Sequence, residues 1–465
     1  MADQDVSRRD FVKTAGAVTA VASAIPNRAP AFQKARAANS QVQYGFIGTG
    51  SRGTYLLKHL NQVDGGRCVA VCDTYEPNLQ KGVATAGTSP ASYRDYRELL
   101  SRQDIDCVLI ATPLYMHFPV TRDVLLAGKH VFCEKSLVFK PEEVHALRAI
   151  CADRPKQILQ VGLQRRYSAF YQAAKEMIDQ GMLGKITHVR AQWHRNTTWR
   201  RKVDDPKLER QINWRMYREY SGGLTAELAS HQIDVADWMF GMHPEMISGV
   251  GGIDFYKDGR DIYDNIQLIF AYPGGQKLMY SSIQTNAHLD MLLAQRQEFG
   301  EVIMGTEGTI HITVGSDDQP ATALWFQEPS RPKVTPAAAK KENWKAGATM
   351  TTGAAGKPLP ILLSRDLQNE DDSFLQQELK FAKRWLYTKG ILVPEEDRNP
   401  VTVSMEEFLI SVRDGKRPKA DLEVGLMDAT GVILANKAMD EGRRVYWNEI
   451  DKMGRTPEAT RSTKG

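Results

Sequence analysis

The chain has 465 residues, too many for one ordinary core, so two domains are expected. Its composition, 42% hydrophobic and 25% charged, excludes an intrinsically disordered chain. The formal net charge is +4, but Arg8, Arg9, Lys13, Arg28, Lys34 and Arg36 face only Asp3, Asp5 and Asp10 in the first 37 residues. The remainder is nearly neutral, which gives no electrostatic reason to expect nucleic acid as a partner.

The chain opens on Ser7-Arg8-Arg9-Asp10-Phe11-Val12-Lys13, followed by a weakly apolar run over residues 14–25. That run is too short and too polar to span a bilayer, and Ala35-Arg36-Ala37 offers a small-residue cleavage site. Residues 1–37 thus resemble a twin-arginine signal, the route by which bacteria export proteins already folded. A chance Arg-Arg in a polar tail is the alternative, and Phe11 and Lys13 at their motif spacings speak against it. The resemblance implies the Tat machinery as a partner and an exported, periplasmic destination. It also suggests a prosthetic group acquired before export.

From Val42 short apolar runs alternate with helix-like stretches, the pattern of a parallel sheet with crossovers. Strands are expected at Val42–Ile47, 67–72, 107–111, His130–Cys133 and 158–161, with helices near 53–62, 96–101, 118–127 and 141–152. Residues 40–162 form a Rossmann dinucleotide-binding domain on this reading, and 163–450 a second, α+β domain with an open, mostly antiparallel sheet. Its strands are expected at Ile186–Trp193, 265–272, 277–282 and 309–314, with a strong helix over 224–240. Residues 319–360, rich in Pro, Ala, Gly and Lys, read as an extended insertion with little core of its own. Helices over 404–414 and 423–441 close the chain on Val445-Tyr446-Trp447. The overall class is α/β. None of the five cysteines, Cys68, Cys72, Cys107, Cys133 and Cys151, forms a CxxC pair, so buried thiols are expected and neither a metal nor a disulfide framework is.

Gly48-Thr49-Gly50-Ser51-Arg52-Gly53 follows the first strand and opens a helix. Gly48 would permit the tight turn, Gly50 the approach of backbone to a pyrophosphate, and Gly53 close packing of helix on strand. Asp73 ends the next strand about 20 residues on, where a ribose-binding acid belongs. A carboxylate there favours the 2′-hydroxyl of NAD over the 2′-phosphate of NADP, and no arginine immediately follows it. The bland alternative is a structural glycine turn with a solvated aspartate.

Further motifs appear in order: Ala111-Thr112-Pro113 with His117, Glu134-Lys135-Ser136, Gly222-Gly223 through His231 and Asp234, and Gly305-Thr306-Glu307-Gly308. Together they resemble the glucose-fructose oxidoreductase and inositol dehydrogenase (Gfo/Idh/MocA) family over residues 42–315, resuming at 408–447 with Gly415-Lys416-Arg417-Pro418 and Asn436. The resemblance implies that Lys135 sits beside the nicotinamide, that Thr112, Pro113, His117 and Glu134 shape that pocket, and that His231 is the acid/base. A near-neutral imidazole suits such work. Glu227 stands where the family has Asp, and as His231 follows four residues later the two are expected on one helical face. Ser136 replaces the family's proline, and a cis bond is rare without proline.

On the substrate side the resemblance points to Arg165 and Tyr167, within Gln164-Arg165-Arg166-Tyr167, and to Asp234. Trp193, His194, Asn196 and Trp199 form an aromatic and polar cluster suited to a sugar. The implied reaction is hydride transfer between NAD and a sugar, glycoside or cyclitol hydroxyl, with a homo-oligomer implied by resemblance only. Outside the cytoplasm no soluble NAD pool exists, so a tightly bound, recycled cofactor is expected. A redox-assisted glycosidase is the second reading, and a non-catalytic sugar-binding protein the third. The region 220–231 lacks the Tyr-Pro-Thr-His pattern of such glycosidases, and intact Lys135 and His231 weigh against a non-catalytic role.

Overall fold

The computed structural model describes residues 41–287, 299–313, 322–328, 359–362 and 398–453. The expected export signal and most of the segment 319–360 lie outside the described residues.

β1 (Val42–Ile47), α1 (Ser51–Leu60), β2 (Gly66–Cys72), α2 (Glu76–Ala86), β3 (Ala91–Tyr93), α3 (Tyr96–Leu100), β4 (Cys107–Ile110), α4 (His117–Leu126), β5 (His130–Cys133), α5 (Pro141–Ala152) and β6 (Leu159–Val161) alternate along the chain. The strands pair in parallel in the order β3-β2-β1-β4-β5-β6. β4 is buried at every position, because a parallel sheet is covered on both faces; this is why its sequence is continuously apolar rather than alternating. The strand order reverses at β1, which has β2 on one side and β4 on the other. A crevice therefore opens beyond the carboxyl ends of these strands. Sequence patterning misses α2 and the short β3, whose first two residues are exposed.

After α6 (Ala169–Asp179) come β7 (Ile186–Trp193), α7 (Ser230–Phe240), β8 (Met246–Gly252), β9 (Asn265–Ala271), β10 (Lys277–Ile283), β11 (Phe299–Gly305), β12 (Gly308–Thr313), β13 (Thr322–Gln327) and β14 (Leu359–Leu362). With β15 (Val445–Tyr446) they form one sheet in the order β14-β13-β12-β11-β7-β10-β9-β8-β15. Among the described strands of this second sheet only β7 and β10 pair in parallel, which agrees with the open, mostly antiparallel sheet expected. β9 shows why it is open: Ile266, Leu268 and Phe270 are buried while Gln267 and Ile269 face outward. The buried face packs with α6, α7 and α9 (Leu422–Glu441) around Val189, Phe240, Phe270, Ile303 and Val432.

Two expectations are refined. Within the segment 319–360, read as having little core of its own, β13 and β14 extend the sheet and Ala323 and Trp325 are buried. The alternation in Thr322-Ala323-Leu324-Trp325-Phe326-Gln327 is a strand period inside a turn-rich composition. The helix expected over 224–240 is also not uniform: Thr225–Ala229 is a π-helical turn, and regular α-helix begins only at Ser230.

The chain then returns to the first sheet. α8 (Pro400–Asp414) lays Met405, Phe408 and Leu409 into the cluster that holds Phe46 and Leu56, with Phe408 edge-on to Phe132 at 5.7 Å. Thr402 Oγ1 meets His59 Nδ1 on α1 at 2.7 Å. α9 touches both sheets: Gly425 lies so close to β6 that a Cβ would come within 2.4 Å of Val161, while Val432 and Leu434 belong to the second core. The cysteines are all free; Cys68, Cys72, Cys107 and Cys133 are buried in β2, β4 and β5, and Cys151 is partly buried on α5.

Candidate active site

The glycine turn between β1 and α1 is built as its spacing requires. Gly48 has φ +89°, and a Cβ there would sit 2.7 Å from the Ala111 backbone. At Gly53 a Cβ would lie 1.9 Å from the Gly48 carbonyl oxygen, so only glycine seats α1 against the turn. Gly50 differs, because its Cβ would meet nothing nearer than Asn78 Nδ2 at 3.6 Å. Its open side faces a cavity of about 700 Å³ lined by Gly48, Gly50, Ser51, Arg52, Asp73 and Thr112, among others. Among the described residues no side chain caps the start of α1, which leaves its first N–H groups for an anion.

Asp73 faces the same cavity, held by backbone N–H groups: Thr49 donates to Oδ2 at 2.8 Å and Tyr75 to Oδ1 at 2.9 Å. Burial pushes its carboxyl up from the ordinary aspartate value, against the lowering effect of those donors. Thr49 itself is fully buried and away from the cavity, its hydroxyl donating to the Asn78 carbonyl at 2.8 Å. It positions the acid. An open backbone cradle, free helix N–H groups and an oriented carboxylate fit a dinucleotide, with Gly48, Gly50, Ser51 and Asp73 as the residues to hold it.

The same cavity continues past Pro113, His117, Glu134 and Lys135 to Trp193, Trp199, Glu227 and His231. Lys135 follows β5 and Glu134; its Nζ donates to the carbonyl oxygens of Ala226 at 3.0 Å and Glu227 at 2.5 Å. Two of its three protons are so occupied, leaving one for the cavity. The π-helical turn supplies these acceptors, and the Ser230 hydroxyl adds a bond to Ala226 O at 2.8 Å. Burial lowers the Lys135 pKa, opposed by the carboxylates of Glu227 and Glu134.

Glu227 and His231 both reach the cavity although the turn between them is π-helical, so the four-residue face argument holds only in outcome. Burial pushes the Glu227 carboxyl up, but Arg215, paired with it at 2.7 Å, and Lys135 outweigh that and hold it below the usual glutamate value. His231 is 4% exposed, and among the described residues its Nδ1 has no hydrogen-bond partner. Burial, with the charges of Lys135, Arg165 and Arg52, holds its pKa well below the ordinary histidine value. The imidazole is therefore neutral near pH 7 and able to accept a proton. Trp193 lies beside it, ring centroids 5.7 Å apart.

His117 joins two loops rather than facing outward, Nδ1 lying 2.7 Å from Ser136 O and Nε2 3.0 Å from Thr112 O. Arg52 pairs with Glu134 at 2.8 Å. The Lys135–Ser136 peptide bond is cis, contrary to what serine in place of proline suggests. The Ser136 hydroxyl lies 3.3 Å from Asp428 Oδ2, a contact proline could not make.

Other expected substrate residues lie outside the cavity lining. Arg165 is buried in an ion pair with Glu301, and Asp234 in one with Arg166 at 2.7 Å. The Tyr167 hydroxyl accepts from Ala420 N at 3.3 Å. His194 meets Ser281 Oγ at 3.2 Å, and burial, aided by Arg190, takes its pKa down to about 4. Asn196 forms an isolated backbone bridge with Thr285. Sequence reasoning missed Arg195, Arg201, Gln211, Trp214 and Arg215, which do line the cavity. Their segment lacks periodicity, and its density of Arg and Trp is the one signal that singles it out.

The fold and site define a protein with a Rossmann dinucleotide-binding domain and a second, open-sheet domain. Residues 42–163 match the family model described as an oxidoreductase family with an NAD-binding Rossmann fold, and residues 171–311 match the GFO/IDH/MocA C-terminal domain. The two matches follow one another and together cover more than half of the chain, which belongs to the Gfo/Idh/MocA family.

Among curated relatives, a glycosyl hydrolase family 109 protein of Shewanella amazonensis is 30% identical over 204 residues, 40% of this chain and 44% of the relative. The chain spans about half the length of such relatives. An inositol 2-dehydrogenase of Rhizobium meliloti is 25% identical over 281 residues, 60% of this chain and 79% of the relative. Among solved structures, the aldose-aldose oxidoreductase of Caulobacter crescentus, complexed with glycerol, superposes with a TM-score of 0.62 at 19% identity, covering 87% of this chain and 99% of that one. An oxidoreductase domain protein from Kribbella flavida gives 0.66 at 17%, covering 88% and 99%. These likenesses show the fold.

Proposed function

We propose that the protein is an exported NAD(H)-dependent oxidoreductase that acts on a hydroxyl of a sugar, glycoside or cyclitol, with its cofactor retained and recycled. The observation that carries this reading is the convergence of Lys135, Glu227 and His231 in the cavity that begins at the glycine turn. When bound, NAD supplies the redox chemistry by taking and returning the hydride of a carbinol carbon. His231, neutral by burial, takes the hydroxyl proton. Lys135, anchored on two carbonyls, aims its remaining donor at the developing alkoxide. Arg215 keeps Glu227 ionised beside them, so a negative charge balances Lys135. Trp193 offers a face for the apolar side of a ring.

Export rests on the twin-arginine-like opening of the sequence, and retention follows from export, since a periplasmic enzyme has no NAD pool to draw on. Redox-assisted glycoside cleavage is the second reading. Relatives named glycosyl hydrolase family 109 proteins from Shewanella, at 30–31% identity over about half their length, favour it.

The test is to purify the full chain after export and record its absorbance and fluorescence before and after gel filtration. Retained NAD(H) is the expected result, and an empty, freely exchanging site would sink internal recycling. Turnover of unmodified sugars against aryl glycosides, without added cofactor, separates the two catalytic readings. A protein that binds sugars and turns over neither would remove both.

A further inference from the structure

Between β7 and the π-helical turn, residues 197–213 leave the second sheet and reach across to the first domain at two points. Arg201 Nη2 donates to Ser51 Oγ at 3.0 Å, and Gln211 Nε2 donates to Thr74 Oγ1 at 3.3 Å. Neither partner is arbitrary. Ser51 is the first residue of α1, directly after Gly50, and Thr74 directly follows Asp73. One contact thus lies at the phosphate end of the dinucleotide site and the other at the ribose end. Arg201, Gln211 and both stretches of the first domain line the same cavity.

The segment is built to hold this position. Asn213 is 3% exposed and grips the Arg201 backbone from both sides, accepting from its N–H at 2.8 Å and donating to its carbonyl at 3.0 Å. Arg200 ties the segment to Asp258 at 3.1 Å and braces it internally against Glu209 at 2.5 Å, and Arg260 donates to Thr198 O at 2.8 Å. Trp199 turns the chain with φ +62°, a left-handed conformation that a bulky residue rarely adopts, and its ring faces the cavity. The guanidinium of Arg201 is meanwhile placed near that of Arg215, and burial together with this like charge lowers its pKa. Fixed backbone, a strained neighbour and the Arg201 guanidinium turned to the cavity, beside an Arg215 that Glu227 already pairs, are what an anionic ligand would reward.

We propose that residues 197–213 form a strap over the dinucleotide, with Arg201 a ligand of the pyrophosphate and Gln211 closing the ribose end beside Asp73. Cofactor release then requires the Arg201–Ser51 and Gln211–Thr74 contacts to open. The inference rests on the proposed retention of NAD(H) and supplies its physical cause.

The experiment measures the dissociation rate of bound NAD(H) from the purified full chain by exchange against labelled cofactor, in the native protein and in Arg201→Gln, Arg201→Lys and Gln211→Ala. Arg201→Gln is expected to release NAD(H) about tenfold faster, equivalent to about 1.4 kcal/mol. Arg201→Lys, which keeps the charge but loses the planar fork, should fall between it and the native protein. The cofactor-free melting temperature should not move. Native release rates in both Arg201→Gln and Gln211→Ala overturn the strap and leave retention standing. A native protein that loses NAD(H) during buffer exchange overturns retention, and the ratio of variant to native rate then still decides the strap.

Discussion

Lys135 Nζ and the Glu227 carbonyl oxygen lie 2.5 Å apart across the junction of the two domains. The lysine belongs to the loop after β5, and its acceptor to the one turn before α7 that departs from α-helical winding. The contact fixes where the ammonium points, and the residue that supplies the carbonyl also supplies the nearby carboxylate. Replacing Lys135 by Met keeps the length of the side chain and removes its donors. Turnover should fall by about 10²–10³-fold, the usual cost of one oxyanion donor. Bound NAD(H), read by fluorescence, should stay. Full activity in Lys135→Met would remove the lysine from the mechanism.

The glycine turn makes opposite predictions at two positions. In Gly53→Ala the new Cβ would collide with Gly48 O, so α1 must shift; a loss of about 1–3 kcal/mol of stability is expected, with loss of cofactor. In Gly50→Ala the Cβ has room within the protein, so the melting temperature should hold while NAD affinity drops. Calorimetry of cofactor-free protein and titration with NAD distinguish the two outcomes. Equal destabilisation by both would contradict the open side assigned to Gly50.

The pH dependence follows from His231. Its folded pKa lies well below the ordinary value of 6.5, so the proton-accepting form is present throughout the neutral range. Activity should stay level as pH falls through 6.5 and decline only further into acid. The sign for stability is the same: between the two pKa values the unfolded chain binds the proton and the folded chain does not, so stability declines as pH falls through this window. His231→Gln should abolish turnover and flatten its share of the stability profile. An activity limb centred on 6.5 would show that the imidazole is not held below its ordinary value in the working enzyme, and full turnover in His231→Gln would remove it as the proton acceptor.

Cofactor choice depends on Asp73. Its two oxygens are held by Thr49 and Tyr75 N–H groups, so the carboxylate cannot swing away from a ribose. Asp73→Ser should weaken NAD binding about tenfold and narrow the preference over NADP, since the repelling charge is gone. Binding constants for both dinucleotides check this. An unchanged ratio would mean that discrimination lies elsewhere.

How much of this is written locally can be judged residue by residue. Gly48, Gly50, Gly53 and Asp73 are legible because their roles depend on backbone conformation and on position along one βαβ unit. Lys135 and His231 are legible only through family resemblance, since they meet across 96 residues of chain that no local period connects. Arg165 and Asp234 show the opposite failure. As charged residues after a strand and on a helix they suggest ligand contacts, yet Glu301 and Arg166 neutralise them in the interior. A carboxylate 136 positions away cannot be assigned to its arginine from sequence alone. Arg201 and Gln211 stay hidden for a third reason: they sit among short turns, where neither period nor apolar runs mark a face.

The buried thiols have a bearing on where such a chain can work. A thiol attacks or is oxidised as thiolate, and burial pushes Cys68, Cys72 and Cys133 up to about 12 and Cys107 well above its ordinary value. At any physiological pH these four side chains behave as small hydrocarbons, each locked in a strand of the parallel sheet. Moving the folded molecule from a reducing to an oxidising compartment therefore leaves its covalent structure at these positions as it was, with no bridge for an oxidase to make and none for an isomerase to correct.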